Sequence, residues 1–172
     1  MGELYSKNFL KRLISKAPIL LLYISVLNEF DFNYLGSNYF SFNFTYILLF
    51  YWSLKNNESF NYVLIFIAGL INDVVVGIPL GISSLLYLLI CGFAAYLRNI
   101  TLRPSLVKDW IYFLFTVLVV NSLSYIMLTL IFSFEINYTN ILINTFFTFL
   151  LYFIFYFIFK VYEKIVFESS NA

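Results

Sequence analysis

The chain has 172 residues, of which 62% are hydrophobic and 11% charged, with a net charge of +1 and a mean hydropathy of +0.89. Soluble domains are about 45–50% apolar and roughly 25% charged, so this chain has too few charges to cover a water-facing surface and reads as an integral membrane protein of one domain. It has no histidine and one cysteine, Cys91, which excludes an intramolecular disulfide, a Cys/His-rich metal site and a histidine general base.

Residues 1–16 open the chain. On a helix, Lys7, Lys11 and Arg12 share one face, while Tyr5, Phe9, Leu10, Leu13 and Ile14 cover the other. The pattern fits an amphipathic segment on the membrane surface or a solvated basic leader. No Ala-x-Ala cleavage site follows, so the segment is expected to stay attached.

Six crossings are predicted, over about 17–32, 40–54, 62–76, 79–97, 110–132 and 141–162. The first has Pro18 in its opening turn, where proline is tolerated, and ends at Asn28, Glu29 and Asp31. Tyr51 and Trp52 near the end of the second are expected at interfacial depth, where amphipathic rings prefer to sit. Residues 62–97 as one helix would measure ~54 Å, far beyond a ~30 Å hydrocarbon core. The Gly77-Ile-Pro79 break divides them into two spans. The fold class expected is therefore an all-α integral membrane protein, a six-transmembrane-helix bundle.

The basic residues orient it. With the N-terminus inside, the inner segments hold Lys7, Lys11, Arg12, Lys16, Lys55, Arg98, Arg103, Lys108, Lys160 and Lys164, which is all ten Lys and Arg. The outer loops hold none. Cytoplasmic loops carry the Lys/Arg excess, so both termini are expected in the cytoplasm.

The stretch from Gly69 to Gly81 is the only place where a carboxylate, glycines and a proline meet inside apolar sequence. Gly69, Asp73, Gly77 and Gly81 recur every four residues, so on a helix the first three form one ladder. Rungs without side chains admit a close helix backbone. Asp73 lies ~16 Å along its span, and a carboxylate in hydrocarbon costs on the order of 2.5–3.5 kcal/mol unless paired, hydrated or protonated. It is expected either to bond a neighbour such as Asn72, Ser83, Ser84 or Asn121, or to face a partner helix or ligand. Asn in its place is expected to keep the hydrogen bonds and remove the charge.

Asn121, Ser122 and Ser124 form a second intramembrane polar group, expected to hydrogen-bond across helices. Cys91 reads as a small apolar packing residue. Phe146, Phe147, Phe149, Tyr152, Phe153, Phe155, Tyr156, Phe157 and Phe159 crowd the last span and read as lipid-exposed, with a docking face as the alternative. An aspartyl protease needs two embedded aspartates, yet Asp31 and Asp109 are placed at membrane rims, so no catalytic residues are assigned. No phosphate loop, metal set, cofactor motif or nucleic-acid patch is present.

The run Gly69-Leu-Ile-Asn-Asp73-Val-Val-Val-Gly77-Ile-Pro79-Leu-Gly81, preceded by Tyr51-Trp52, resembles the signature of the bacterial rod shape-determining protein MreD family. That family shows Gly-Leu-x-x-Asp and then a Gly-x-Pro-Leu-Gly turn. The resemblance implies a bundle similar to the substrate-binding subunits of energy-coupling-factor vitamin transporters. It also implies a non-enzymatic scaffold in the cytoplasmic membrane, without a cofactor. The implied partners are an MreC-like protein and an elongation complex with MreB, RodA and a penicillin-binding transpeptidase. The alternative is the small-molecule binding subunit of a transporter, with a cavity open to the outer face and lined by Asp73, Asn121 and neighbouring polar groups.

Overall fold

The computed structural model describes residues 16–27, 41–55, 60–101, 105–134 and 138–168. The amphipathic N-terminal segment, the acidic end of the first span and the acid Glu135 lie outside the described residues. Among those described there are six α-helices and no strand. They are α1 (Ala17–Leu27), α2 (Phe44–Leu54), α3 (Tyr62–Val76), α4 (Ile82–Ile100), α5 (Leu106–Ile126, continued by a π-helical turn Met127–Ile131) and α6 (Tyr138–Glu168).

Helix α2 is the axis of the bundle. Asn43 caps it by accepting the Tyr46 N–H at 3.1 Å, and every residue from Thr45 to Trp52 is buried. A helix that is apolar all round belongs inside a bundle, and α2 packs against α1, α4 and α6. Helices α3 and α4 form the most intimate pair, with α1 against α3 and α5 between α4 and α6.

Rings cement the α2–α5–α6 contact. Phe113 stacks on Tyr152 at 4.3 Å and Trp110 on Phe149 at 4.4 Å, while Tyr51 meets Tyr156 at 5.6 Å. Tyr51 and Trp52 are buried in the core, at 0% and 3% exposure. The aromatic face of α6 covers them. The last span is accordingly two-faced. Tyr152, Tyr156 and Phe159 are buried, and Phe146, Phe153 and Phe157 are exposed.

Several boundaries move from those predicted. Helix α4 starts at Ile82 rather than 79, because Gly81 has φ 101°, outside the helical basin. Helix α5 starts at Leu106 because Ser105 caps it, accepting the Lys108 N–H. Helices α4, α5 with its π turn, and α6 are long and apolar enough to cross a membrane, whereas α1, α2 and α3 have 11, 11 and 15 residues. Eleven residues extend only ~16 Å, about half of a ~30 Å hydrocarbon core.

Candidate functional site: the Asp73 hairpin and its neighbouring cavity

Asp73 closes both helices of the α3–α4 hairpin. Its backbone carbonyl accepts the N–H groups of Gly77 and Ile78, both at 3.0 Å, which ends α3. Its carboxylate then turns to the start of α4. Oδ2 accepts the Gly81 N–H at 2.6 Å and Oδ1 the Ser83 N–H at 2.8 Å. The N-terminus of a helix presents unsatisfied N–H groups and the positive end of its dipole. Among the described residues, this fully buried carboxylate is therefore compensated by backbone N–H groups. Both oxygens are acceptors here, so Asn at this position would keep only one of the two bonds, contrary to the expectation from sequence.

The four-residue spacing does two different jobs. Gly69 supplies the close approach: a Cβ there would lie 2.4 Å from Ser84 Cα and 2.5 Å from Ser84 N. Ser84 Oγ also donates to the Phe66 carbonyl at 2.9 Å, one turn before Gly69. Gly77 does not continue the ladder. It is the left-handed cap of α3, with φ 75°, and a Cβ there would meet nothing within 4 Å. Gly81 likewise serves by its positive φ, and Pro79 lies in the turn between them. Gly69 and Asp73 are directed into α4 of the same chain, while Val74 and Leu80 stand exposed and Val76 lines the cavity beside the hairpin.

Beside the hairpin is a partly open cavity of about 120 Å³. Its polar lining comes from Ser25, Asn43, Thr45, Asn72, Ser83 and Tyr87, so α1 to α4 all contribute. Asn72 Nδ2 donates to Ser83 Oγ at 2.9 Å. Ser25 and Thr45 hydroxyls are 3.0 Å apart, and Ser25 donates to the Leu22 carbonyl at 2.8 Å. No motif marks Ser25 or Thr45; a serine and a threonine facing inward on two apolar helices were the only signal available.

Of the second polar group, Asn121 crosses to α6, its Nδ2 donating to Thr145 Oγ1 at 2.7 Å. Ser122 is exposed and Ser124 half-buried. Among the described residues no side-chain bond across helices is seen for either serine. Two bonds between segments that sequence did not single out lie at the same end: the Asn43 N–H donates to Thr148 Oγ1 at 2.8 Å and Asn144 Nδ2 to Ser41 Oγ at 3.0 Å. Cys91 is fully buried in the core.

Charge gathers at the opposite end. Arg98 donates to the Ser53 carbonyl at 3.1 Å, and the Tyr51 hydroxyl to Glu163 Oε2 at 3.1 Å. Asp109, expected at a rim, is only 2% exposed, and its Oδ2 has no hydrogen-bond partner among the described residues. Among the described residues, Lys55 is the basic side chain whose charge reaches it. Helix α4, 19 residues and therefore ~28 Å long, separates this end from Asp73. The two buried aspartates thus stand apart and do not form a dyad.

The family model described as rod shape-determining protein MreD matches residues 11–165. The chain belongs to the MreD family. Neither a curated protein nor a solved structure matches it significantly. The match embraces the hairpin, all the long apolar helices and the charged end, so membership is not confined to the Gly69–Gly81 run. A role in rod shape determination follows, as a structural component of the shape-determining complex. With three helices able to cross a bilayer, the chain is an inner-membrane protein.

Proposed function

We propose that this chain is a non-enzymatic scaffold of the cell-elongation complex, binding an MreC-like protein and helping to position lateral peptidoglycan synthesis with MreB, RodA and a penicillin-binding transpeptidase. The observation that carries this reading is the hairpin: within a family match over residues 11–165, its one buried carboxylate is spent on the Gly81 and Ser83 N–H groups. That charge holds two helices in register. Around it, Gly77, Pro79 and Gly81 fix a tight turn whose exposed Val74 and Leu80 offer apolar side chains to a partner helix.

The same proposal takes all six helices as crossings with both termini in the cytoplasm. The basic ends support it, since the Arg98–Ser53, Tyr51–Glu163 and Lys55–Asp109 relations bring Lys55, Arg98 and the start of α5 to one end of the bundle. The transporter alternative expects an outward-open cavity lined by Asp73, Asn121 and neighbouring polar groups, and of these Asn72 and Ser83 line the cavity beside the hairpin while Asp73 and Asn121 do not. The volume of that cavity is below the roughly 300–1,000 Å³ of small-molecule pockets.

Co-purification from membranes with an MreC-like partner, and rounding of rod-shaped cells on depletion, are the expected results. Rods that persist after complete loss, in a cell with no second copy, would refute the scaffold role.

A further inference from the structure

The bundle is flush at its charged end and stepped at the other. At the charged end Arg98 on α4 donates to the Ser53 carbonyl on α2, and Tyr51 on α2 to Glu163 on α6. At the far end the N–H of Asn43, the cap of α2, bonds Thr148 on α6, and Asn43, Asn72 and Ser83 line one cavity, so these residues share a level. From that level α3 continues only to Val76, ~6 Å farther, and then turns back. Helices α5 and α6 do not stop there. Tyr138 opens α6 ~15 Å beyond Thr148, and Asn121, bonded to Thr145, has ~15 Å of α5 and its π turn still ahead of it. The α5–α6 hairpin therefore stands ~9 Å above the Gly77–Gly81 turn.

The two heights make opposite demands on a bilayer. Above the turn, Ile126, Leu130, Ile131 and Leu142 are exposed apolar side chains, which belong in hydrocarbon. At the turn itself hydrocarbon is excluded. Gly77 is exposed and outside the helical basin, and among the described residues the carbonyls of Val74, Val75 and Val76 meet no donor. Irregular backbone with unpaired carbonyls does not occur against lipid tails. The length of α3 agrees: between its caps at Asn61 and Gly77 lie 15 residues, ~22 Å, where a full hydrocarbon core needs ~30 Å. A span too short by ~8 Å is met by thinning of the bilayer around it. We propose that this chain thins the outer leaflet beside the α3–α4 hairpin, drawing headgroups and water down to Gly77–Gly81, while its α5–α6 face keeps a bilayer of full height. The partner of this surface is the lipid itself. The proposal rests on the six-crossing reading and is independent of the scaffold role.

The test compares two exposed positions, Leu80 in the turn and Ile126 on α5. Ile126 stands ~6 Å farther from the charged end than Val76, the last residue of α3. The full chain is placed in dioleoylphosphatidylcholine vesicles with a nitroxide at Leu80→Cys or at Ile126→Cys. Cys91 is fully buried and stays in place, with the unsubstituted chain as the labelling blank. Each nitroxide is then exposed to oxygen, which concentrates in hydrocarbon, and to a water-soluble nickel chelate. The nickel-to-oxygen accessibility ratio is expected to be higher at 80 than at 126, although 126 lies farther out. A flat bilayer surface gives the two sites the same environment or places 80 the deeper. A ratio at 80 equal to or below that at 126 therefore overturns the proposal, whether both sites are in hydrocarbon or both in water. Melting temperatures verify that the variants fold; should Leu80→Cys fail, Val76→Cys reads the same height. An impermeant thiol reagent outside intact cells tests the topology separately and is expected to reach Leu80→Cys. Labelling only from the inner side overturns the six-crossing reading and the proposal with it. Labelling from outside with no excess ratio at 80 overturns the thinning alone.

Discussion

Replacing Gly69 with alanine is the sharpest perturbation of the hairpin. The new Cβ would sit 2.4 Å from Ser84 Cα, 2.5 Å from Ser84 N and 2.8 Å from Ser84 Oγ. Two carbons in contact rest at about 3.5–4.0 Å, so α3 and α4 must part by roughly 1 Å. The neighbour is backbone and cannot rotate away. Overpacking of this kind costs about 1–3 kcal/mol. A second cost follows one turn later, where Asp73 holds Gly81 N–H at 2.6 Å and Ser83 N–H at 2.8 Å. A displacement of that size carries both bonds past the usual ~3.2 Å limit, and hydrogen bonds to a charged group contribute about 1.5–3 kcal/mol each. Even partial loss brings the total to about 3 kcal/mol, or roughly 6–12 °C in melting temperature for a chain of this size. Gly92 is the internal control. It is exposed in the middle of α4 with nothing within 4 Å of its Cβ position. Alanine there is expected to stabilise by about 0.5–1 kcal/mol through helix propensity. Thermal melts followed by the fluorescence of Trp52 and Trp110 read both variants in one detergent. Equal melting temperatures for Gly69→Ala and Gly92→Ala would show that the α3–α4 approach is not what Gly69 provides.

Other substitutions probe the rest of the site. Asp73→Asn is expected to lose one of its two backbone bonds and about 1.5–3 kcal/mol, and Asp73→Leu to lose more; an Asn variant that melts with the wild type would contradict the double-acceptor geometry. Gly81→Ala places a side chain at φ 101° and is expected to cost about 1–3 kcal/mol of backbone strain, measured by the same melts, with Gly81→Asn recovering part of the loss because Asn tolerates positive φ. Asp109→Asn is expected to leave stability unchanged or raise it, since it removes a buried charge whose Oδ2 has no partner among the described residues; a fall of several degrees would mean that the charge is compensated by more than Lys55. Asn121→Leu removes the bond to Thr145 and is expected to cost only about 0.6 kcal/mol, the average for polar contacts between membrane helices.

Much of this was open to a reading of residues alone. Hydropathy and the scarcity of charge determined a helical membrane protein. Gly77, Pro79 and Gly81 determined a reversal between α3 and α4, because positive φ and a missing N–H act within a few residues. A carboxylate in apolar sequence made Asp73 conspicuous for the same local reason. Tertiary structure alone decided where its oxygens go: to N–H groups eight and ten residues on, across the turn. It also decided that Tyr51 and Trp52 are core, that Asp109 is buried, and that Ser25 meets Thr45 at a separation of 20 residues. Burial and long-range pairing depend on which helices become neighbours, and in a chain apolar on nearly every face, periodicity does not say which face meets which.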